Sequence, residues 1–429
     1  ETPSQSCKPQ KCGEHLAKRQ VYVHCHGILH QFNHLPGLLA LRSPPSQRSA
    51  MKTLHVFSYE KFAPHVIDIV ESVNPGRNRY IINGSTGDRP YDARTSVACR
   101  TYSGPFRLDP PTREDLKWCD VVFFHSLFAQ HADAISQLKK NTTLVWCAMG
   151  ADIYRHSPHF KGKTLLPATR LAERQLARRW PKTRSEKIKR FLHALRTSRF
   201  LNPSGQDRNQ FKIQCIAARI DIICSIERDL QLERNLPGFR AKQLDYFDYY
   251  TLERALSAGA KPINGRDILV GNSASWSNNH LDIFEQFRDL DLGSRRIVLP
   301  LSYGRFEIAN LVLERAVELF GADRVFALRD WMSIENYNRT LESCGVVVMN
   351  HVRGQALGNI CSMLFRGSTV LLRRENPYFQ YLQHLGVHLR TVPAGPISEE
   401  DIEALTPEQR IANTEAMRAH WTRSAVESR

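Results

Sequence analysis

The sequence predicts an α/β protein built from two Rossmann-like, doubly wound domains that face each other across a cleft. Three observations carry that expectation. At 429 residues the chain is too long for one ordinary domain and comfortable for two, each burying its own core. From residue 51 onward short apolar runs alternate with helix-period segments, the pattern of parallel strands joined by helical crossovers. The alternation starts afresh after Lys261-Pro262-Ile263-Asn264-Gly265, a turn-rich linker.

Composition narrows the class. With 42% hydrophobic and 24% charged residues the chain is globular rather than disordered. No apolar run approaches the ~18 residues of a membrane span, so none is expected. Ten cysteines without a dense framework read as reduced thiols. The net charge of +16 calls for an anionic partner; nucleic acid, an anionic membrane surface and a polyanionic substrate all fit it.

Residues 1–50 read as an irregular tail outside the native domain. They hold five of the 17 histidines (His15, His24, His26, His30, His34) with Cys7, Cys12 and Cys25. These are zinc-ligand types, but Cys-x4-Cys followed by His-Cys-His matches no compact zinc module, and no metal is expected. No basic segment leads into an apolar one, so the stretch is not a secretory signal. Met51 is initiator-like and opens a short strand, and translation is expected to start there.

In the first domain, residues 51–260, strands are expected at 53–57, 80–82, 120–124, 143–147 and 221–225, with helices at 63–73 and 128–138. His125 and the Met149-Gly150-Ala151-Asp152 segment fall at strand ends. An insertion at 170–212 carries 13 Lys or Arg against three acidic residues, and its 187–201 part reads as an amphipathic basic helix. A solvated surface helix and a docking element for anionic lipid are both open readings.

The second domain, residues 266–429, places strands at 267–270, 296–299, 325–327, 345–349 and 369–372, with helices at 278–289, 306–320, 334–342 and 357–365. Doubly wound sheets bind ligands beyond the carboxyl ends of their strands, and helix N-termini attract phosphate. Two loops meet both conditions. The first, residues 271–280, contains Gly271, Asn272, Ser273, Ser277 as a fair N-cap, and Asn278. The second, residues 351–360, contains Arg353, Gly354, Gly358 and Asn359, with the glycines allowing close backbone approach and Arg353 offsetting diphosphate charge. After the strand at 369–372, Glu375 and Asn376 are candidates for sugar or ribose hydroxyls. Plain loop and capping roles remain alternatives for each.

Together these segments resemble the TDP-4-acetamido-4,6-dideoxygalactose:lipid II transferases, the 4-alpha-L-fucosyltransferase family, glycosyltransferase family 56. The resemblance rests on Ile268-Leu269-Val270-Gly271-Asn272-Ser273 with Ser277, Asn278 and His280, on Val298-Leu299-Pro300-Leu301-Ser302-Tyr303-Gly304, on the Gln355–Gly358 loop, and on Arg374-Glu375-Asn376-Pro377. In the first domain Leu54-His55-Val56 matches the family's opening. Met149-Gly150-Ala151-Asp152-Ile153-Tyr154 is similar to its Trp-Gly-Ala-Asp-Leu-Tyr, and Phe123-Phe124-His125 to its Phe-Phe-His-Gly. Met149 departs from that Trp and Ser126 from that Gly.

The resemblance implies the glycosyltransferase B arrangement, with an acceptor-side domain at 51–260 and a nucleotide-sugar donor domain at 266–429. It implies transfer of 4-acetamido-4,6-dideoxygalactose from a TDP-sugar to an undecaprenyl-diphosphate-linked saccharide, in enterobacterial common antigen synthesis. The work belongs to a peripheral protein at the cytoplasmic face of the bacterial inner membrane, with no metal expected. The 170–212 insertion would meet the anionic membrane surface, and nucleic acid is not an expected partner. Asp152 is the preferred base and His125 the second candidate, each with a structural role as its rival. A sugar-nucleotide epimerase or other transferase of the same fold, and a non-catalytic membrane-surface scaffold, are the alternative functions.

Overall fold

The computed structural model describes residues 51–58, 63–84, 99–103, 106–154, 156–157, 160, 162–179, 208–226, 231–244, 250–256 and 261–428. The tail at 1–50 and the amphipathic helix expected at 187–201 lie outside the described residues.

The first sheet has seven parallel strands, β1 (Thr53–Phe57), β2 (Asn78–Gly84), β3 (Cys99–Ser103), β4 (Val121–His125), β5 (Thr143–Cys147), β6 (Ile222–Cys224) and β7 (Lys242–Leu244), in the order β3-β2-β1-β4-β5-β6-β7. The second has six, β8 (Ile268–Val270), β9 (Ile297–Pro300), β10 (Val325–Leu328), β11 (Val346–Met349), β12 (Thr369–Leu372) and β13 (Arg390–Thr391), also all parallel, in the order β10-β9-β8-β11-β12-β13. Two doubly wound α/β domains in tandem is the predicted architecture. In each sheet the strand order reverses at one point, between β1 and β4 and between β8 and β11. Crossovers leave the two strands there in opposite directions, which opens a crevice beyond their carboxyl ends.

The helices within residues 51–260 are α1 (Ala63–Val73), α2 (Pro110–Trp118), the single turn α3 (Ala151–Tyr154), α4 (Pro167–Arg179), α5 (Arg208–Ala217) and α6 (Leu252–Leu256), the last packing its Leu252 and Leu256 into the core of the second domain. The second domain has α7 (His280–Phe287), α8 (Phe306–Phe320), α9 (Ile334–Thr340), α10 (Leu357–Phe365), α11 (Pro377–His384), α12 (Pro407–Trp421) and α13 (Arg423–Glu427). Because helices cover both faces, central strands are apolar without alternation: β1, β9, β11 and β12 are buried at every position. Edge strands lack that signature. β3 reads Cys-Arg-Thr-Tyr-Ser and β13 is two residues long, so neither shows an apolar run in the sequence.

Besides α6, two elements cross the expected domain boundary. The last helix, α13, returns to the first domain: Arg423 donates to the Asp68 carboxylate at 2.7 Å and Ser72 donates to Glu427 at 2.7 Å. In the other direction, the start of α4 docks on the second domain. Backbone N–H groups of Ala168 and Thr169 donate to Asp282 Oδ1 and Oδ2, each at 2.9 Å, and Leu166 N donates to Asn279 Oδ1 at 2.9 Å. The first helix of the basic insertion is therefore capped by a carboxylate from across the cleft.

Asp282→Ala is expected to uncap α4 at a cost of about 1 kcal/mol. Hydrogen exchange at Ala168 and Thr169 should accelerate, while the amides of β8 and β11 keep their protection.

Candidate active site

The loops after β8 and β11 meet at the reversal point of the second sheet, and their side chains tie them into one surface. Gly271 leaves β8 with φ +69, and a Cβ there would lie 2.5 Å from His280 Nε2 and 2.7 Å from Asn278 Oδ1. Only glycine fits that turn and that crowding. Asn278 is fully buried: Oδ1 accepts from Asn272 N and lies 2.8 Å from His351 Nε2, while Nδ2 donates to Ser273 and Ser275. A ladder of hydroxyls, Ser273–Ser275–Ser277 at 3.2 Å steps, leads outward to Gln355. Gln355 closes the ring by accepting from Ser277 at 2.7 Å and donating to Asn272 Oδ1 at 2.8 Å. Burial pushes His280 down to about 4 and His351 well below its ordinary value, so both rings are neutral.

The positive charge here is Arg353. Its guanidinium donates to Ser277 Oγ at 3.3 Å and lies 5.5 Å from the Tyr154 ring centre of the first domain. Gly354 N donates to the Tyr154 hydroxyl, and the Tyr250 hydroxyl donates to Gly358 O at 3.0 Å. Gly150, at the carboxyl end of β5, has φ +109, and a Cβ there would approach the Arg353 guanidinium to 3.1 Å. The carboxyl ends of the two sheets thus face each other with Arg353 between them, and the N-terminus of α10 opens beside it.

Several expected roles change. Ser277 does not cap the following helix; it faces Gln355, and Asn279, with φ +52, takes the position before α7. Gly358 is required by the Tyr250 ring, 2.5 Å from a hypothetical Cβ, rather than by a ligand. Asn359 turns away and donates to the Tyr337 hydroxyl at 3.1 Å. Asn376 is fully buried and caps α11 through Tyr378 N at 3.0 Å. Glu375 is half exposed and paired with Arg373 at 3.0 Å. Two buried donors beside them, Arg373 Nε and Asn376 Nδ2, have no hydrogen-bond partner. Sequence reasoning missed the bridging roles of Tyr154, Gln355 and Asn279, because polar types in a loop do not announce which way they point.

In the first domain the structure replaces the acid–base assignment of Asp152. Its carboxylate is 2% exposed and accepts from Leu127 N at 3.0 Å, Trp146 Nε1 at 2.7 Å and Met149 N at 3.1 Å. It brackets the loops after β4 and β5, and no oxygen faces the cleft to take a proton. His125 is also buried, stacked on Phe57 at 4.3 Å and 3.1 Å from His55 Nδ1. It ends β4 at the reversal point of the first sheet. Ser126 follows it with φ +72, a left-handed conformation that suits the glycine of the resemblance better than serine. Among the described residues no group of three or more His, Cys, Asp or Glu could hold a metal ion.

These conformations set two opposite expectations. Gly271→Ala should destabilise the second domain by more than 1 kcal/mol and loosen the joined loops. Ser126→Gly, relieving left-handed strain, should stabilise the first by up to about 1 kcal/mol. Denaturant titrations of both variants measure the pair.

The family model described as 4-alpha-L-fucosyltransferase glycosyl transferase group 56 matches residues 206–403, the span holding both joined loops. Anabaena HepE, crystallised with UDP and glucose, superposes with a TM-score of 0.57 at 11% identity, over 88% of this chain and 97% of that one. Sucrose-phosphate synthase from Thermosynechococcus elongatus gives a TM-score of 0.51 at 11% identity, over 88% and 96% of the two chains. These likenesses show the fold, two Rossmann-like domains of the glycosyltransferase B type. With the match over residues 206–403, the chain is a glycosyltransferase, similar through that region to group 56.

Proposed function

We propose that the protein transfers 4-acetamido-4,6-dideoxygalactose from a TDP-sugar to an undecaprenyl-diphosphate-linked saccharide, a step of enterobacterial common antigen synthesis at the cytoplasmic face of the inner membrane. The observation that carries this reading is the group 56 match over 206–403 falling on the two loops that Gln355, Ser277 and Asn272 tie together at the reversal point of the second sheet. The donor diphosphate lies against these loops, with Arg353 and the N-terminal amides of α10 opposing its charge. Arg353 does for the leaving diphosphate what a divalent cation does in other transferases, so the reading needs no metal.

In the transfer, the acceptor hydroxyl oxygen bonds to the anomeric carbon. The anomeric carbon–oxygen bond to the diphosphate breaks with its electron pair on the diphosphate, and the hydroxyl proton passes to a base on the first domain. The acceptor is itself a lipid diphosphate, and the net charge of +16 favours both it and an anionic leaflet. The 170–212 insertion is the membrane-facing element of this reading.

Thermal shifts against TDP, UDP, GDP and ADP test the donor class. TDP at a hundredfold excess over its Kd should stabilise the fold by about 2.7 kcal/mol, well beyond the other three. A sugar-nucleotide epimerase would instead convert its substrate without lipid acceptor, and a scaffold would show no nucleotide response. Arg353→Ala should abolish most of the TDP shift while leaving the melting temperature of the free protein near that of the parent. Sedimentation with vesicles containing anionic lipid should show binding that falls steeply with salt, and binding indifferent to salt would remove the insertion from the membrane role.

A further inference from the structure

The Leu301-Ser302-Tyr303-Gly304 segment takes no part in the ring around Gln355, yet its backbone is joined to the same loop. Ala274 N donates to Tyr303 O at 2.7 Å and Arg305 N donates to Ala274 O at 3.0 Å, an isolated parallel bridge between the loops after β8 and β9. Gly304 has φ +121, and a Cβ there would collide with the Ala274 carbonyl oxygen, so the bridge closes only on glycine. Leu301 N donates to Leu328 O at 2.8 Å, which ties the segment to the end of β10 as well.

This fixed backbone carries large aromatic side chains into solvent. Tyr303 is 61% exposed, Phe306 at the start of α8 is 69% exposed, and Trp331 in the loop after β10 is 66% exposed. The indole is not on a loose segment, because Leu328 before it is buried at the end of β10 and Met332 after it packs against the second-domain core. Arg329 joins the two loops, with its guanidinium 5.2 Å from the Phe306 ring centre and a 2.7 Å hydrogen bond to Asn310 Oδ1. Exposed aromatics grouped on a rigid frame mark a binding surface. The charges among them suit a neutral occupant better than an anionic leaflet: Arg305 pairs with Glu307 at 3.6 Å, and Asp330 follows Arg329 directly.

We propose that Tyr303 and Trp331 form a shelf on which the nucleobase of the sugar nucleotide stacks. This rests on the transferase reading for the presence of a nucleotide. With the diphosphate at the reversal point, the rest of the donor runs along the strand ends in two directions. Toward β12 the exposed side chain is Glu375, paired with Arg373, and toward β9 and β10 the exposed side chains are aromatic. Strand spacings of about 4.8 Å put the ends of β9 and β10 one and two steps from β8, within the reach of a nucleoside. Every base has flat π faces, and stacking on an aromatic ring is tolerant of which base it is. The shelf therefore supplies affinity and leaves the choice of base to other groups. Because Tyr303 is held through Ala274, the platform and the diphosphate loop keep a set separation.

Calorimetric titration of the full-length protein with TDP, UDP and inorganic pyrophosphate separates base from phosphate. The double variant Tyr303→Ala with Trp331→Ala should bind both nucleotides about 5- to 100-fold more weakly than the parent, with its affinity for pyrophosphate unchanged. Tyr303→Phe with Trp331→Phe keeps both rings and should bind the nucleotides as the parent does. Both side chains are exposed, so the melting temperature of each free variant should stay near that of the parent; should the double alanine variant not fold, Tyr303→Ala alone carries the same test. An equal loss for pyrophosphate means that the rings hold the loops and not the base, and it overturns the shelf. Parent-like nucleotide affinity in the alanine variant also overturns it while the transferase reading stands, and loss of vesicle binding in that variant then assigns the surface to lipid. A parent that binds no nucleotide overturns the transferase reading and the shelf together.

Discussion

The second domain's site depends on the side chain of Asn278. At a reversal point the backbone offers nothing to join neighbouring loops, because the parallel ladder has ended and the crossovers diverge. A buried side chain has to do it, and it has to satisfy donors from one loop and acceptors from the other. Asn278 does both, taking Asn272 N and His351 Nε2 on its oxygen and giving its amide protons to Ser273 and Ser275. Asparagine is the type that can, since aspartate would have no proton to give and would bring an unpaired charge into a fully buried place. The outer ring through Gln355 is built on that joint, and Arg353 takes its place from the same loop.

How much of this was legible follows from what each residue faces. Central strands such as β1, β11 and β12 are buried on both sides, so their apolar runs stand out in the sequence. β3 and β7 face solvent along an edge and carry polar side chains, and nothing in their composition separates them from loops. Within the site, the loops themselves were legible, because glycine and small polar residues after an apolar run mark a strand end. Their directions were not. Ser277 and Asn279 both fit a helix cap by type, yet one faces across to Gln355 and the other reaches to Leu166 and Asn350. Direction is fixed by long-range partners that adjacent residues cannot reveal.

Asp152 shows the same limit in a sharper form. The Gly150-Ala151-Asp152 segment looks open because its neighbours are small. The glycine is small because Arg353 arrives from the other domain, and the carboxylate turns inward to three N–H donors. Burial raises its pKa, and the hydrogen bonds from Trp146, Leu127 and Met149 work against that rise. Removing the carboxylate would strand those donors in the interior, so the residue is held in place by structure alone.

The cleft contacts tie the order of the second-domain loops to the way the two domains meet. Gly354 N is held by Tyr154, Arg353 lies on the Tyr154 ring, and the start of α4 is capped by Asp282. Each of these contacts joins the second domain to a segment of the first, so moving the domains apart would break them all together. A ligand on the joined loops can bias the way they meet only through contacts that differ between the open and closed arrangements. Arg353 supplies such a difference, because its guanidinium faces both Ser277 and Tyr154 when the cleft is closed. Under the proposed function, a diphosphate drawing on that charge would compete with or reinforce the Tyr154 contact according to where it settled.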